Sequence, residues 1–353
     1  NTLYFHYCIL FKNLEYHLLG NHLLENAFSL LFGAYYFQDE KLYIKSKKIL
    51  TRELNEQLLK DGAHFELSPM YHQIILSRLL DSIQLIKLNG EWKIDNLLSF
   101  FKAKASLMIS WLQNITYKNG NIPMVNDATF NIAPNSRKIF SYAKYLGINS
   151  QNILLSDSGY RKINSNNYEL LIDVGNVGAP YQPGHAHSDT FNFELIKEGK
   201  SIIVDTGIST YEKNTIRQYE RATFSHNTVK IGSKDQTQVW GGFRVARRAK
   251  ITHLVEKPNL IQASHDGYLS NGYIHTRSFL WEEKYIFLND KINRSTSNKA
   301  KAYFHLHFSV SKPLVDDNIV ELESLGVFIK FERASNICIE EYQLSTGFNK
   351  TKL

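Results

Sequence analysis

Apolar positions in the first 150 residues recur at helical intervals. From Leu14 to Phe37, the residues Leu14, Leu18, Leu24, Phe28, Leu31 and Phe32 keep one side apolar, which predicts an amphipathic helix. Asp39 is placed to cap a second helix that reaches about Leu59 and is rich in Lys, Glu and Leu. Ser68-Pro69 is a start signal: a hydroxyl cap followed by proline at the first helical position, where a missing N–H costs nothing. The helix it opens is expected to run to about Leu88, with Ile75, Leu79, Leu80, Ile83 and Ile86 inward. Two more helices are expected over Ile94–Leu112 and Ser136–Leu146.

The period then changes. Phe191, Phe193 and Leu195 alternate with Thr190, Asn192 and Glu194, the pattern of a half-buried strand. Asn167–Val174 and Ser201–Asp205 read the same way, with Glu198-Gly199 at a hairpin turn. Further strands are expected over Thr228–Ile231, Ile251–Glu256, Leu260–Ser264, Ser278–Asn289, Lys301–Ser309, Asn318–Glu323, Val327–Glu332 and Asn336–Glu341. Helices followed by many short strands argue for an α+β multidomain chain, an α-domain over residues 1–150 and an antiparallel β-sandwich over 151–353. The boundary is expected near 147–158.

Composition narrows the class. The chain has 353 residues, 43% hydrophobic, with 20 Tyr and 21 Phe, so it is not a disordered chain. A net charge of +7 favours anionic partners, but no basic block of the nucleic-acid-arm type occurs, and no apolar run is long enough to span a membrane. Cys8 and Cys338, far apart in sequence, read as free thiols. The chain opens inside a helical pattern with no signal peptide, which reads as a processed or truncated product. Oligomeric state is not legible.

Three constellations could carry chemistry. In Gly20-Asn21-His22-Leu23-Leu24-Glu25-Asn26, helical spacing puts Asn21, His22, Glu25 and Asn26 on one side; spacing alone fits a hydrogen-bonded structural cluster or an exposed strip as well as a site. In Glu66-Leu67-Ser68-Pro69-Met70-Tyr71-His72, Tyr71 lies in a helix's first turn, where free N–H groups favour a phenolate slightly. The third comprises Pro183-Gly184-His185-Ala186-His187-Ser188-Asp189, then Asp205, then Ser225-His226-Asn227. His187, Asp205 and His226 make a ligand set suited to Zn²⁺ with an open fourth position, although such residues at strand ends also make turns and caps. His305 and His307 alternate without an acidic partner and read as one sheet face.

Together these segments resemble the heparinase II/III family. The resemblance lies in His185-Ala186-His187-Ser188-Asp189-Thr190-Phe191-Asn192-Phe193, Val204-Asp205-Thr206-Gly207 and Ser225-His226-Asn227-Thr228-Val229, with Asn21-His22-Leu23-Leu24-Glu25-Asn26-Ala27 and Ser68-Pro69-Met70-Tyr71-His72 in the family's order. It implies an incomplete (α/α) toroid followed by an antiparallel β-sandwich, and lyase chemistry on a heparan-, alginate- or exopolysaccharide-type substrate, in the periplasm or outside the cell. It further implies that His187, Asp205 and His226 hold one divalent metal, most simply Zn²⁺. Asn21 and His22 would contact the uronate carboxylate, Tyr71 would be acid or base, and His185 the other catalytic base. Glu25, Tyr211, Trp240 and Arg244 would line the substrate. The opening helices of a full toroid are not within these residues: either they lie upstream of Asn1, or the toroid is unusually short, which would widen the cleft. Rival readings are a non-catalytic acidic-polysaccharide-binding protein of exopolysaccharide biosynthesis and a hydrolase using metal-bound water.

Overall fold

The computed structural model describes residues 2–294 and 299–353. Up to Tyr145 the regular elements are helices: α1 (Thr2–Lys12), α2 (Gly20–Phe37), α3 (Glu40–Gln57), α4 (Pro69–Leu88), α5 (Leu97–Ile115) and α6 (Ser136–Tyr145). The helix expected from Leu14 starts only at Gly20, because Leu19 and Gly20 adopt left-handed φ values of 58° and 54° and turn the chain. Glycine bears this freely, and it also leaves room: a Cβ on Gly20 would lie 2.6 Å from the Glu66 carboxylate. The buried stripe of α2 includes Leu23, Leu24, Ala27, Phe28, Leu30, Leu31 and Ala34, whereas Leu18 and Phe32, inward by pattern, are exposed.

Two caps fall where the sequence put them. The Asp39 carboxylate accepts from the Lys41 and Leu42 N–H groups, and the Ser68 hydroxyl accepts from Tyr71 N–H, so each helix start finds partners for orphan donors. All five residues expected to face inward from α4 are buried. Helix α2 packs against α3 and α4, and α4 against α5 and α6. Truncating a fully buried member such as Leu79 would cost about 2–5 kcal/mol.

Antiparallel pairing follows. Strands β1 (Tyr160–Asn164), β2 (Tyr168–Asp173), β3 (Phe193–Lys197) and β4 (Lys200–Ile203) form one sheet in that order. A short helix α7 (Thr215–Arg221), a strand β5 (Val229–Ile231) and the hairpin β6 (Val239–Trp240) with β7 (Arg244–Val245) come next. A second four-stranded sheet comprises β8 (Ile251–Lys257), β9 (Leu260–His265), β10 (His275–Trp281) and β11 (Ile286–Ile292). Strand β12 (Ala300–Ala302) returns to pair with β5. Then come β13 (Leu314–Asp316), β14 (Ile319–Leu322) and β15 (Val327–Lys330) as a three-stranded sheet, and β16 (Leu344–Gly347) with β17 (Lys350–Lys352) as a pair.

Strand β2 ties the halves together. It is buried along its whole length, and its two-residue period sends Leu171 into the helical core while Leu170 and Ile172 join Ile261, Ala263 and Phe279 of the second sheet. Several expected strands differ. The one expected from Thr190 begins at Phe193, because Phe191 sits at φ 71°. The stretch Ser278–Asn289 is a hairpin rather than one strand, closed by Glu282 N–H donating to Tyr285 O. His305 and His307 lie outside the strands: His305 is buried against Asn227, and His307 is paired with Ser309. Asn336–Glu341 is irregular, and β1, α7 and β16 were not foreseen.

Candidate active site

The Ser68 cap fixes the first turn of α4 and donates its own proton to Asp127 O at 2.6 Å, so Tyr71 projects from a start anchored at both ends. The Tyr71 ring stacks on His185 with centroids 3.9 Å apart and planes 13° apart. Its hydroxyl lies 3.1 Å from that of Tyr211. Phe243, at the tip of the β6–β7 hairpin, packs edge-on against His185 at 6.1 Å and tilted against Tyr211 at 5.4 Å. A tyrosine from the helical half thus meets a histidine and a second tyrosine from the strand half. Burial pushes the Tyr71 phenol up to about 12, so it is a proton donor at neutral pH.

Beneath this stack lies Glu66, 7% exposed. One carboxylate oxygen takes His185 Nδ1 at 2.8 Å, and the other takes the Asn21 backbone N–H at 3.2 Å. Burial opposes its charge, yet His185 outweighs burial and holds its pKa at about 2. Reciprocally, burial opposes an imidazolium at His185, and the Glu66 carboxylate overrides it, raising the His185 pKa. Among the described residues the hydrogen bond of the His185 ring to protein is made by Nδ1, not Nε2.

A second buried network adjoins the first. Asp127 accepts two bonds from Arg217, at 2.5 and 2.7 Å, and pairs with His187 Nε2 at 2.8 Å. The Arg217 guanidinium stands 5.2 Å from the Tyr211 ring centre and 5.3 Å from that of Phe243. Next to His187, with ring centroids 5.3 Å apart, His226 gives Nδ1 to Asp205 at 2.7 Å. Asp205 also accepts from Asn192 and from Gly207 N–H. The three residues expected to bind metal are therefore neighbours, but Asp205 is spent on His226 and its own turn. Among the described residues, no group of three or more His, Cys, Asp or Glu is gathered to hold a metal ion. The buried His187 Nδ1, His226 Nε2 and Asp189 Oδ2 have no partner.

The other expected residues divide. Asn21 reaches the cluster through its backbone, as just described. His22 is half exposed and turned to Glu15 at 3.5 Å, while Glu25 pairs with Arg78 of α4 at 3.1 Å. Neither is bonded to Tyr71 or His185. Trp240 and Arg244 face each other across the hairpin that carries Phe243, and both are exposed.

Glu66, Asp127, Arg217 and Phe243 had no assigned role in the sequence reading. Glu66 sits five residues before Tyr71 in a segment already singled out, so an acid there could have been weighed as a partner for histidine. Arg217 and Asp127 are 90 residues apart, and α7 is too short to show a clear period; pattern alone offers no signal for that pair.

Two family models cover nearly the whole chain: Heparinase II/III N-terminus matches residues 6–153, and Heparinase II/III-like, C-terminal, matches residues 148–352. The chain belongs to the heparinase II/III-like family. A heparin-sulfate lyase of Bacteroides stercoris is 24% identical over 91% of this chain and 50% of its own length. One of Bacteroides thetaiotaomicron is 23% identical over 86% and 47%. Among solved structures, a mutant of the heparan sulfate lyase HepC from Pedobacter heparinus superposes with a TM-score of 0.71 at 21% identity, over 98% of this chain and 57% of that one. A heparinase III crystal structure gives 0.69 at 20% identity, over 86% and 52%. The chain spans about half the length of these heparinase II/III-like relatives, and the structural likeness at such identity is a likeness of fold.

Proposed function

We propose that this chain is a polysaccharide lyase that cleaves a uronic-acid-containing acidic polysaccharide by β-elimination. The observation that carries the reading is the meeting of Tyr71, His185 and Tyr211 from opposite halves of the molecule, with an imidazole and a protonated phenol side by side. The names of the relatives, heparin-sulfate lyases, support it.

The chemistry follows from the substrate. Removing the C5 proton of a uronate piles charge onto its carboxylate, so donors aimed there stabilise the transition state more than the ground state. The Asn21 side-chain amide makes no protein hydrogen bond among the described residues and sits on the residue anchored to Glu66, so it is assigned to that carboxylate. His22 joins it only by leaving Glu15. His185 Nε2 takes the C5 proton, and Tyr71, protonated up to about pH 12, gives its proton to the departing O4. Tyr211 holds the Tyr71 hydroxyl in place, while Trp240 and Arg244, exposed on the hairpin whose Phe243 packs against His185, are assigned to the substrate.

For a divalent metal such as Zn²⁺, the fit rests on two buried imidazole nitrogens without partners, each on a ring whose other nitrogen is held by a carboxylate. His187 and His226 would hold it, while Asp205, expected as a third ligand, would orient the His226 ring through Nδ1. When bound it would supply a structural tie beneath the loop carrying His185. In the same reading the helices form an incomplete (α/α) toroid over residues 1–150, the strands a β-sandwich over 151–353, and the protein works in the bacterial periplasm or outside the cell. Among the described residues, no helix is long and apolar enough to cross a membrane.

The test is a panel of uronic-acid polymers, heparan sulfate and alginate among them, assayed for an ultraviolet-absorbing unsaturated product. Cleavage with incorporation of a water oxygen and no double bond would select a hydrolase; tight binding without cleavage would select a binding protein.

A further inference from the structure

We infer that Glu66 is the positioning residue of this site, one buried carboxylate that decides which nitrogen of His185 reacts and holds that ring in register with Asn21. Its consequence for rate rests on the lyase reading; its consequence for the histidine tautomer rests on geometry alone.

A carboxylate only accepts hydrogen bonds, so the nitrogen it contacts must carry the proton. With Glu66 Oε2 2.8 Å from Nδ1, the proton of neutral His185 is fixed on Nδ1 and the lone pair on Nε2, the nitrogen that Glu66 does not contact. The second oxygen is occupied as well. Oε1 takes the Asn21 N–H at 3.2 Å, at the first turn of α2, where backbone donors have no intrahelical acceptor. One side chain therefore ties together a helix start 45 residues before it and a loop 119 residues after it in sequence. The surroundings are shaped to this carboxylate. Gly20 leaves the space that any Cβ would take from Oε1. The neighbouring His64 presents Nδ1 at 4.0 Å, while its Nε2 pairs with Gln57. Gln57 in turn donates to Gly20 O, closing a ring of buried polar contacts around the turn.

Glu66 has no direct part in proton transfer in this arrangement. It acts through His185 and Asn21, and neither a glutamine nor a shorter acid can serve both. Glutamine can accept at one end but turns an NH₂ toward the donor at the other. Aspartate keeps the charge but falls short by one methylene.

The experiment uses the full chain carrying Glu66→Gln and, separately, Glu66→Asp. The His185 tautomer is read by nitrogen NMR of the neutral ring, with His185→Ala identifying the signal. The wild type should show the proton on Nδ1, and Glu66→Gln should move population to the Nε2-protonated form. On a polymer that the wild type cleaves, Glu66→Gln should lower kcat by roughly 10²- to 10⁴-fold, the contribution of the general base that it positions and up to the loss of about 10⁴ seen when a carboxylate that orients a catalytic imidazole is replaced by its amide, with KM changing far less. In a His185→Ala background the same substitution should cost little more, because the two residues act as one unit. Glu66→Asp should fall between, and it decides the matter if Glu66→Gln does not fold. An unchanged tautomer, or losses that simply add in the double variant, overturns the proposal. If the wild type cleaves no uronic polymer, the lyase reading fails, and the tautomer measurement still decides the role of Glu66.

Discussion

Replacing Tyr71 with Phe separates the chemistry of this site from its architecture. The substitution deletes one hydroxyl and leaves the ring, so the 3.9 Å stack on His185 persists. What is lost structurally is the 3.1 Å bond to Tyr211, between two part-buried phenols. A neutral bond of that kind contributes about 0.5–1.5 kcal/mol net. In a chain of 353 residues this lowers Tm by no more than about 4 °C. The catalytic loss should be far larger. A positioned general acid contributes roughly 10²- to 10⁴-fold, equivalent to about 3–5 kcal/mol of barrier. The assay follows the unsaturated product in the ultraviolet on the best polymer of the panel, alongside a thermal melt of the same preparation. The expected outcome is a near-native melt with turnover down by at least about a hundredfold. Turnover within a factor of about three of wild type would remove Tyr71 from the proton path; a collapse in Tm would mean that the hydroxyl is structural.

Three further outcomes follow from the same geometry. Arg217→Met strands the buried Asp127 charge and should destabilise the fold by about 3–5 kcal/mol, read from urea unfolding; an unchanged midpoint would show that the network is dispensable. His226→Ala should lower bound metal, measured by mass spectrometry of the purified protein, and lower Tm; unchanged metal content would displace His226 from the ligand set. Burial works against the charge of Asp290, but Arg277 and His275 outweigh it and hold its pKa below the usual carboxylate range. A depressed carboxylate adds stability above its unfolded value of about 3.9, and that stability fades as pH falls toward the lower native value. The loss of stability from pH 5 to pH 3 should therefore be smaller in Asp290→Asn than in the wild type, and identical slopes would refute the assignment.

The strong local signals were legible. Ser68-Pro69 and Asp39 announced helix starts because a cap is satisfied by backbone groups two or three residues away. The apolar spacing of α4 announced its buried face because that face repeats every turn. Where a non-local constraint overrides the pattern, the sequence misled. Phe32 has the right spacing for the core yet is exposed, and Phe191 has the right alternation for a strand yet bends at φ 71°. His22 and Glu25 carry the right motif, but their chosen partners, Glu15 and Arg78, come from a turn and a helix whose approach no motif encodes.

By itself the sequence determined that a helical half precedes a strand half and where two helices are capped, since these depend on short-range spacing; Tyr71, His185, His187, Asp205 and His226 were singled out by motifs that resemble a known family. Only the tertiary structure decided that Tyr71 stacks on His185, that Asp205 is spent on His226, and that Glu66 grips both His185 and Asn21. The physical reason is range: helix caps and apolar stripes are settled within a turn or two of chain. A buried carboxylate accepts whichever donors the packing of distant segments brings within about 3 Å.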